Sequence, residues 1–283
     1  MNRSNNSFRR ATRMVALVTL SSGFVVVATS ASVGASGLEP TVPPYWVGIS
    51  SAGATPGYLV VTSAGKVFAR GTQRALGGMQ GASLNKPIVG VASLPNGEGY
   101  WLVASDGGVF AFGTALFYGS MAGQLLDKPI VGIAPTQDGR GYWLVASDGG
   151  VFAFGDAGYF GSMGGQRLNK PIVGMAADAA TGGYWLVSAD GGVFSFHSPF
   201  YGGTGNLTLN QPVTAIEAAP DGSGYRIVAS DGGIFCFNLP FEGSSGTTPP
   251  PYPVVGIAAN GNSGYWTLAE NGLISTHGST TGV

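Results

Sequence analysis

The sequence predicts an all-β fold assembled from six copies of one unit, and two observations carry that reading. A 15-residue string, GYWLVASDGGVFAFG, occurs twice without a change, at 99–113 and 141–155. Looser copies stand at 57–71, 183–197, 224–238 and 264–278. Their tyrosines, Tyr58, Tyr100, Tyr142, Tyr184, Tyr225 and Tyr265, are spaced by 42, 42, 42, 41 and 40 residues. Self-similarity at this period marks a repeat architecture. The second observation is composition. Glycine fills 49 of 283 positions and charged residues only 10%, which suits many short strands joined by tight turns.

The copy from Lys128 to Asn169 shows the elements in order. Pro129–Ala134 is apolar and reads as a first strand. Thr136–Gly141 is a turn, and Tyr142–Ala146, rich in strand formers, is a second strand. Ser147-Asp148-Gly149-Gly150 supplies the positive φ angles of a hairpin turn. Val151–Phe154 is a third strand and Tyr159–Ser162 a short fourth. These strands are apolar on both faces, so each sheet needs cover on both sides. Stacking six such sheets around an axis provides it. The expected architecture is therefore a six-bladed β-propeller of four-stranded antiparallel blades, with a repeat of about 42 residues, spanning 36–283.

Residues 1–35 stand outside the repeat. Arg3, Arg9, Arg10 and Arg13 precede an apolar run from Met14 to Ala28, and small residues follow. That layout predicts a secretory signal peptide, cut after Ala31 or Ala35; the run is shorter than the ~20 residues of a spanning helix. Without the leader arginines, nine Lys+Arg face 14 Asp+Glu. A mildly acidic surface argues against nucleic acid and anionic lipid as partners. Counting repeats back from Tyr45 places the strand that completes the sixth blade near 33–36.

Where copies agree, the fold explains the residue. Asp106, Asp148, Asp190 and Asp231 recur at the hairpin turn, where Asp accepts backbone hydrogen bonds. One carboxylate per turn does not make a calcium site. Lys86, Lys128 and Lys170 precede a proline in the connector between copies, on the same face as these turns. The single cysteine, Cys236, takes the place of Ala111 and Ala153 and reads as a small buried residue.

Where copies disagree, function becomes the better explanation. Glu217 stands where Ala92, Ala134 and Ala176 stand, and Arg226 where Trp101, Trp143 and Trp185 stand. If the intervening turn centres between Asp221 and Gly222, the two charges lie opposite one another and form a cross-strand ion pair, since neither could be buried alone without several kcal/mol of cost. Glu217 and Arg226, as a polar pocket near the axis, and Tyr118, Tyr159 and Tyr201, in the outer strands, are the candidate ligand contacts. His197 and His277 have no zinc spacing. No nucleophile elbow or close carboxylate pair points to catalysis, so no catalytic residue, metal or cofactor is expected.

The strings KPIVG, GYWLVASDGG and VFAFGDAGYFGS resemble a tandem repeat of secreted actinobacterial proteins, over about 40–283 and most closely in copies 2 to 4. The resemblance implies a propeller of a kind often attached to cell-wall or carbohydrate-active domains, and carries no established activity. Ser147–Gly150 also resembles the Asp-box hairpin of sialidase-like propellers, yet Arg70, Arg74, Arg140, Arg167 and Arg226 do not reproduce a sialidase arginine triad. The expected function is a secreted, non-catalytic, monomeric binding module of the cell surface or extracellular space, with a carbohydrate or protein ligand at a propeller face. The alternatives are a cell-surface spacer and a hydrolase with an axial pocket near Glu217.

Overall fold

Alternating aromatic and β-branched residues, punctuated by glycine, turn each copy of the repeat into a three-stranded antiparallel sheet. The computed structural model describes residues 44–53, 56–262 and 264–278. Sheet I holds β1 (Trp46–Ser51), β2 (Gly57–Thr62) and β3 (Val67–Gly71), and sheet II holds β4 (Ile88–Ser93), β5 (Gly99–Ala104) and β6 (Val109–Gly113). Sheet III holds β7 (Ile130–Pro135), β8 (Gly141–Ala146) and β9 (Val151–Gly155), and sheet IV β10 (Ile172–Ala177), β11 (Tyr184–Ser188) and β12 (Val193–Phe196). Sheet V holds β13 (Val213–Ala218), β14 (Tyr225–Ala229) and β15 (Ile234–Phe237), and sheet VI β16 (Val254–Asn260), β17 (Gly264–Ala269) and β18 (Ile274–His277). Within each sheet the strands pair in chain order.

The first strands pack on one another in sequence, β1 on β4, β4 on β7, β7 on β10, β10 on β13 and β13 on β16; β16 packs back on β1. The six sheets thus adopt a propeller-like arrangement, closed by packing between separate sheets. Small residues permit the close approach. Every inner strand shifts register just before Gly48, Gly90, Gly132, Gly174, Ala215 or Gly256. A Cβ on Gly256 would lie 2.9 Å from Ile49 Cγ2 of the neighbouring sheet.

The core lies between neighbouring sheets. Trp101 packs on Tyr142 with ring centroids 5.1 Å apart, and Tyr142 on Phe154 at 5.6 Å. The same Trp–Tyr–Phe stack joins sheet III to IV through Trp143, Tyr184 and Phe196, and IV to V through Trp185, Tyr225 and Phe237. The tryptophans and tyrosines are among the largest fully buried side chains, with the phenylalanines half-buried against them, and rings of this size dominate core energetics. The middle strands, buried along their whole length in sheets II to VI, match the apolar-on-both-faces pattern of the sequence.

Among the described residues the expected fourth strand does not form. The segment after each third strand finds its partners in side chains rather than a ladder. Trp143 Nε1 donates to the Gly158 carbonyl at 2.7 Å within the same repeat. The Tyr142 hydroxyl of the next sheet accepts from the Tyr118 amide at 3.2 Å and donates to the Gly119 carbonyl at 2.5 Å. Gly119 has φ of 137°, and a Cβ there would meet Phe154 at 2.6 Å. Equivalent pegs hold the segments at Gly77, Gly161 and Gly202. Side-chain acceptors and a glycine backbone compete successfully with strand pairing here.

At the hairpin turns, the carboxylates of Asp106, Asp148, Asp190 and Asp231 each accept from the amide two residues on. The turns also tie to the connectors: the Ser147 amide donates to the Pro129 carbonyl, and the Ile172 amide to the Ser147 carbonyl. Lys86 and Lys128 gather near Asp106 and Asp127, but among the described residues no lysine forms an ion pair. The predicted leader, its cleavage positions and the segment 33–36 lie outside the described residues.

Candidate functional site

The inner strands build a cavity at the centre of the ring. Each places one apolar residue at the same register position: Ile49, Val91, Ile133, Met175, Ile216 and Ile257. All six are buried and form an aliphatic floor. The strand ends and first turns rise from this floor and enclose about 520 Å³. The wall is mostly small, with Ala92, Ala134, Ala176 and Ala258 in the position after the floor residue. Polar groups gather above it, among them Ser50, Ser93, Thr136, Asp156, Asp178 and Glu217.

Glu217 breaks the alanine wall. It faces Arg226 across β13 and β14, and Arg226 Nη1 donates to Glu217 Oε1 at 2.6 Å. The pair is deeply buried, with Arg226 at 0% exposure and Glu217 at 6%. Arg226 occupies the tryptophan position and keeps its stacking role: its guanidinium carbon lies 4.9 Å from the Tyr265 ring centroid. Its Nη2 donates to the Asn262 carbonyl at 3.0 Å. Two atoms of the pair, Glu217 Oε2 and Arg226 Nε, are buried without a partner. Burial pushes the Glu217 carboxyl up to about 7, with Arg226 pulling the other way.

The surroundings of Arg226 are equally unlike those of its counterparts. Cys236 lies opposite it in β15, half-buried rather than enclosed as the sequence suggests; burial pushes its thiol up. Tyr265 stacks on His277 at 5.2 Å, so the V–VI junction reads Arg–Tyr–His where the II–III, III–IV and IV–V junctions read Trp–Tyr–Phe. Burial holds His277 below the usual imidazole value, and its Nε2 has no partner. His197 sits at φ of 54°, in the position held by Gly155 at 72°, and stacks on Phe160 at 4.5 Å.

At the cavity rim, Asp178 accepts from the Ala180 amide at 2.9 Å and the Thr181 hydroxyl at 2.7 Å. Asp156 shares its surroundings with Asp138; burial and the neighbouring carboxyl raise it, whereas the Arg140 amide lowers Asp138. Among the described residues, no cluster of His, Cys, Asp and Glu is suited to a metal ion.

The three candidate tyrosines do not occupy one kind of place. Tyr118 and Tyr201 are half-buried against Tyr142 and Tyr225 of the following sheets. Tyr159 is 61% exposed. The hydrogen bonds show why: the amides of Tyr118, Phe160 and Tyr201 each donate to the next sheet's tyrosine hydroxyl, so Tyr159 is the counterpart of Phe117 and Phe200. Those two are also exposed, and the repeat offset alone could have identified the set. None of the three tyrosines lines the central cavity, whereas Glu217 does.

No protein-family model matches this chain, and no curated protein does. It is similar in structure to a structural genomics protein of unknown function from Bacteroides thetaiotaomicron VPI-5482, with a TM-score of 0.57 and 12% identity. The match covers 83% of this chain and 69% of that one. At this identity the likeness speaks for the fold.

Proposed function

We propose that the chain is a secreted, non-catalytic binding module of the cell surface, built as a six-bladed β-propeller, and that its ligand sits in the central cavity. The cyclic packing of β1, β4, β7, β10, β13 and β16 supports the propeller. The observation that carries the function is the cavity itself: about 520 Å³, an apolar floor, and a few polar groups converging from several sheets. Small-molecule sites have this composition and size. Glu217 Oε1 is held by Arg226, which casts the carboxylate as a fixed acceptor. The rim aromatics become secondary, because Tyr118 and Tyr201 are engaged in packing. Export rests on the basic–apolar–small order of residues 1–35.

Calorimetric titration of the purified chain with a panel of sugars, amines and carboxylates tests the reading. At least one class is expected to bind, and Ser50→Trp, which puts an indole into the cavity, is expected to abolish that binding while the fold persists by circular dichroism. Binding unaffected by Ser50→Trp places the ligand elsewhere. For export, mass spectrometry of the chain recovered from the medium is expected to show a start after Ala31 or Ala35; a start beyond Leu38 overturns the cleavage reading.

A further inference from the structure

Resting on the central cavity as the ligand site, we infer that its occupant is an organic ammonium ion, with its N–H donors on Glu217 Oε2 and its apolar body on the aliphatic floor. The first observation is the free acceptor. Glu217 is more than nine-tenths buried, lines the cavity, and has Oε2 enclosed with no partner. A buried acceptor left unmade is costly, and more so when it bears charge. A donor arriving with the ligand removes that cost, and a charged donor makes the stronger bond.

The second observation lies across the ring. Ser93, in sheet II, also lines the cavity, and its Oγ is also buried without a partner. Sheet II stands three places round a six-membered ring from sheet V. A guest spanning the centre therefore meets a carboxylate at one end and a hydroxyl, able to donate or accept, at the other.

Charge and wall chemistry select the class. Asp156, Asp178 and Glu217 line the cavity, and among the described residues no lysine, arginine or histidine does. Arg226 sits behind Glu217 and outside the lining. Such a lining focuses a negative potential and disfavours anions. A neutral sugar would present many hydroxyls to a floor of Ile, Val and Met that cannot pair with them. A bare metal ion would need several converging oxygens, and Asp178 is already committed to Ala180 and Thr181. An alkyl or aryl ammonium matches the remaining pattern: one hydrogen-bonding head and an apolar body.

The test uses the full chain at about pH 8, above the value of about 7 to which burial raises Glu217 and where a primary alkylamine is still protonated, with phenethylammonium as the probe and 2-phenylethanol as its neutral counterpart, followed by calorimetry. The ammonium is expected to bind at least ten-fold more tightly than the alcohol. The double substitution Glu217→Ala with Arg226→Trp restores the Ala–Trp pair of sheets II to IV. It is expected to fold and to lose that preference. Ser93→Ala is expected to weaken the ammonium several-fold without altering the fold. Equal binding of the alcohol, tighter binding of glucose or galactose, or undiminished preference in a folded double variant would overturn the cation assignment while leaving the cavity as a site. Failure of amines, sugars and carboxylates alike to bind would instead remove the cavity reading itself.

Discussion

The junction between sheets III and IV and the junction between V and VI occupy equivalent places and solve the same packing problem with opposite chemistry. At the first, Trp143 stacks on Tyr184, Tyr184 on Phe196, and Ala134 fills the small space behind the indole. At the second, Arg226 stacks on Tyr265, Tyr265 on His277, and Glu217 replaces the alanine. The geometry is conserved in outline: the aromatic pair is 5.4 Å apart in one, and the guanidinium lies 4.9 Å from its ring in the other. The difference is energetic. An indole buried against alanine needs only one hydrogen bond, the one Nε1 makes to Gly158. A buried guanidinium and carboxylate lose solvation, and here two of their atoms regain no partner. Interior ion pairs are frequently no better than well-packed apolar residues of similar volume. Sheet V therefore carries a local cost to stability, and it gains a carboxylate at the wall of the central cavity.

Breaking the pair from one side should give the largest effect. Glu217→Ala leaves an uncompensated cation in the V–VI interface, and the expected loss is about 3–5 kcal/mol. Adding Arg226→Trp to that change recreates the III–IV solution, and the double variant is expected to match or exceed the parent, by up to about 4 kcal/mol. Urea unfolding of the parent, both single variants and the double variant measures the coupling. Additive losses would show that the two side chains act independently and would end the comparison as drawn.

This contrast was largely legible in the sequence because a repeat supplies its own reference. Ala134 and Trp143 define what Glu217 and Arg226 replace, and the intervening turn sets their register. Other features were hidden for physical reasons. Tyr159–Ser162 has the composition of a fourth strand; what displaces that strand is a set of long-range side-chain bonds, such as Tyr142 to Gly119, that no local pattern reveals. Residue type groups Tyr159 with Tyr118, yet the pegged amide is that of Phe160, one place on. The pairing of Glu217 can be foreseen, but not which oxygen Arg226 takes and which stays without a partner.

Acid should act on the two junctions differently. In the folded chain the Glu217 carboxyl holds its proton up to about 7, against an ordinary value of 4.5. Between those values the folded state binds more protons than the unfolded state, so this group makes the chain more stable as pH falls across the window and less stable as pH rises through it. The lowered carboxyls of Asp138 and Asp221 work the other way, at the acid end, and are common to the parent and the double variant. The informative quantity is thus the difference in stability between parent and double variant at pH 4.5, 6 and 7.5. It is expected to shift against the parent as pH rises; a flat difference would mean that Glu217 is ionised throughout.

The smallest effects should come from the tyrosine hydroxyls, and they sharpen the comparison by extending it to the VI–I junction. Tyr142 uses its hydroxyl twice, accepting from Tyr118 and donating to Gly119. Tyr142→Phe leaves both backbone groups without that partner in a half-buried place, at an expected cost of about 1–3 kcal/mol. Tyr58 occupies the same repeat position and stacks on Trp266 at 5.1 Å, yet its hydroxyl has no hydrogen-bond partner among the described residues. Tyr58→Phe keeps the ring stack and removes only the oxygen, so the expected change is within about 0.5 kcal/mol. Thermal and urea unfolding of the two variants side by side read the contrast directly. Equal losses would show that Tyr58 is pegged like the others, and that the VI–I junction is held by the same hydroxyl bonds as the rest of the ring.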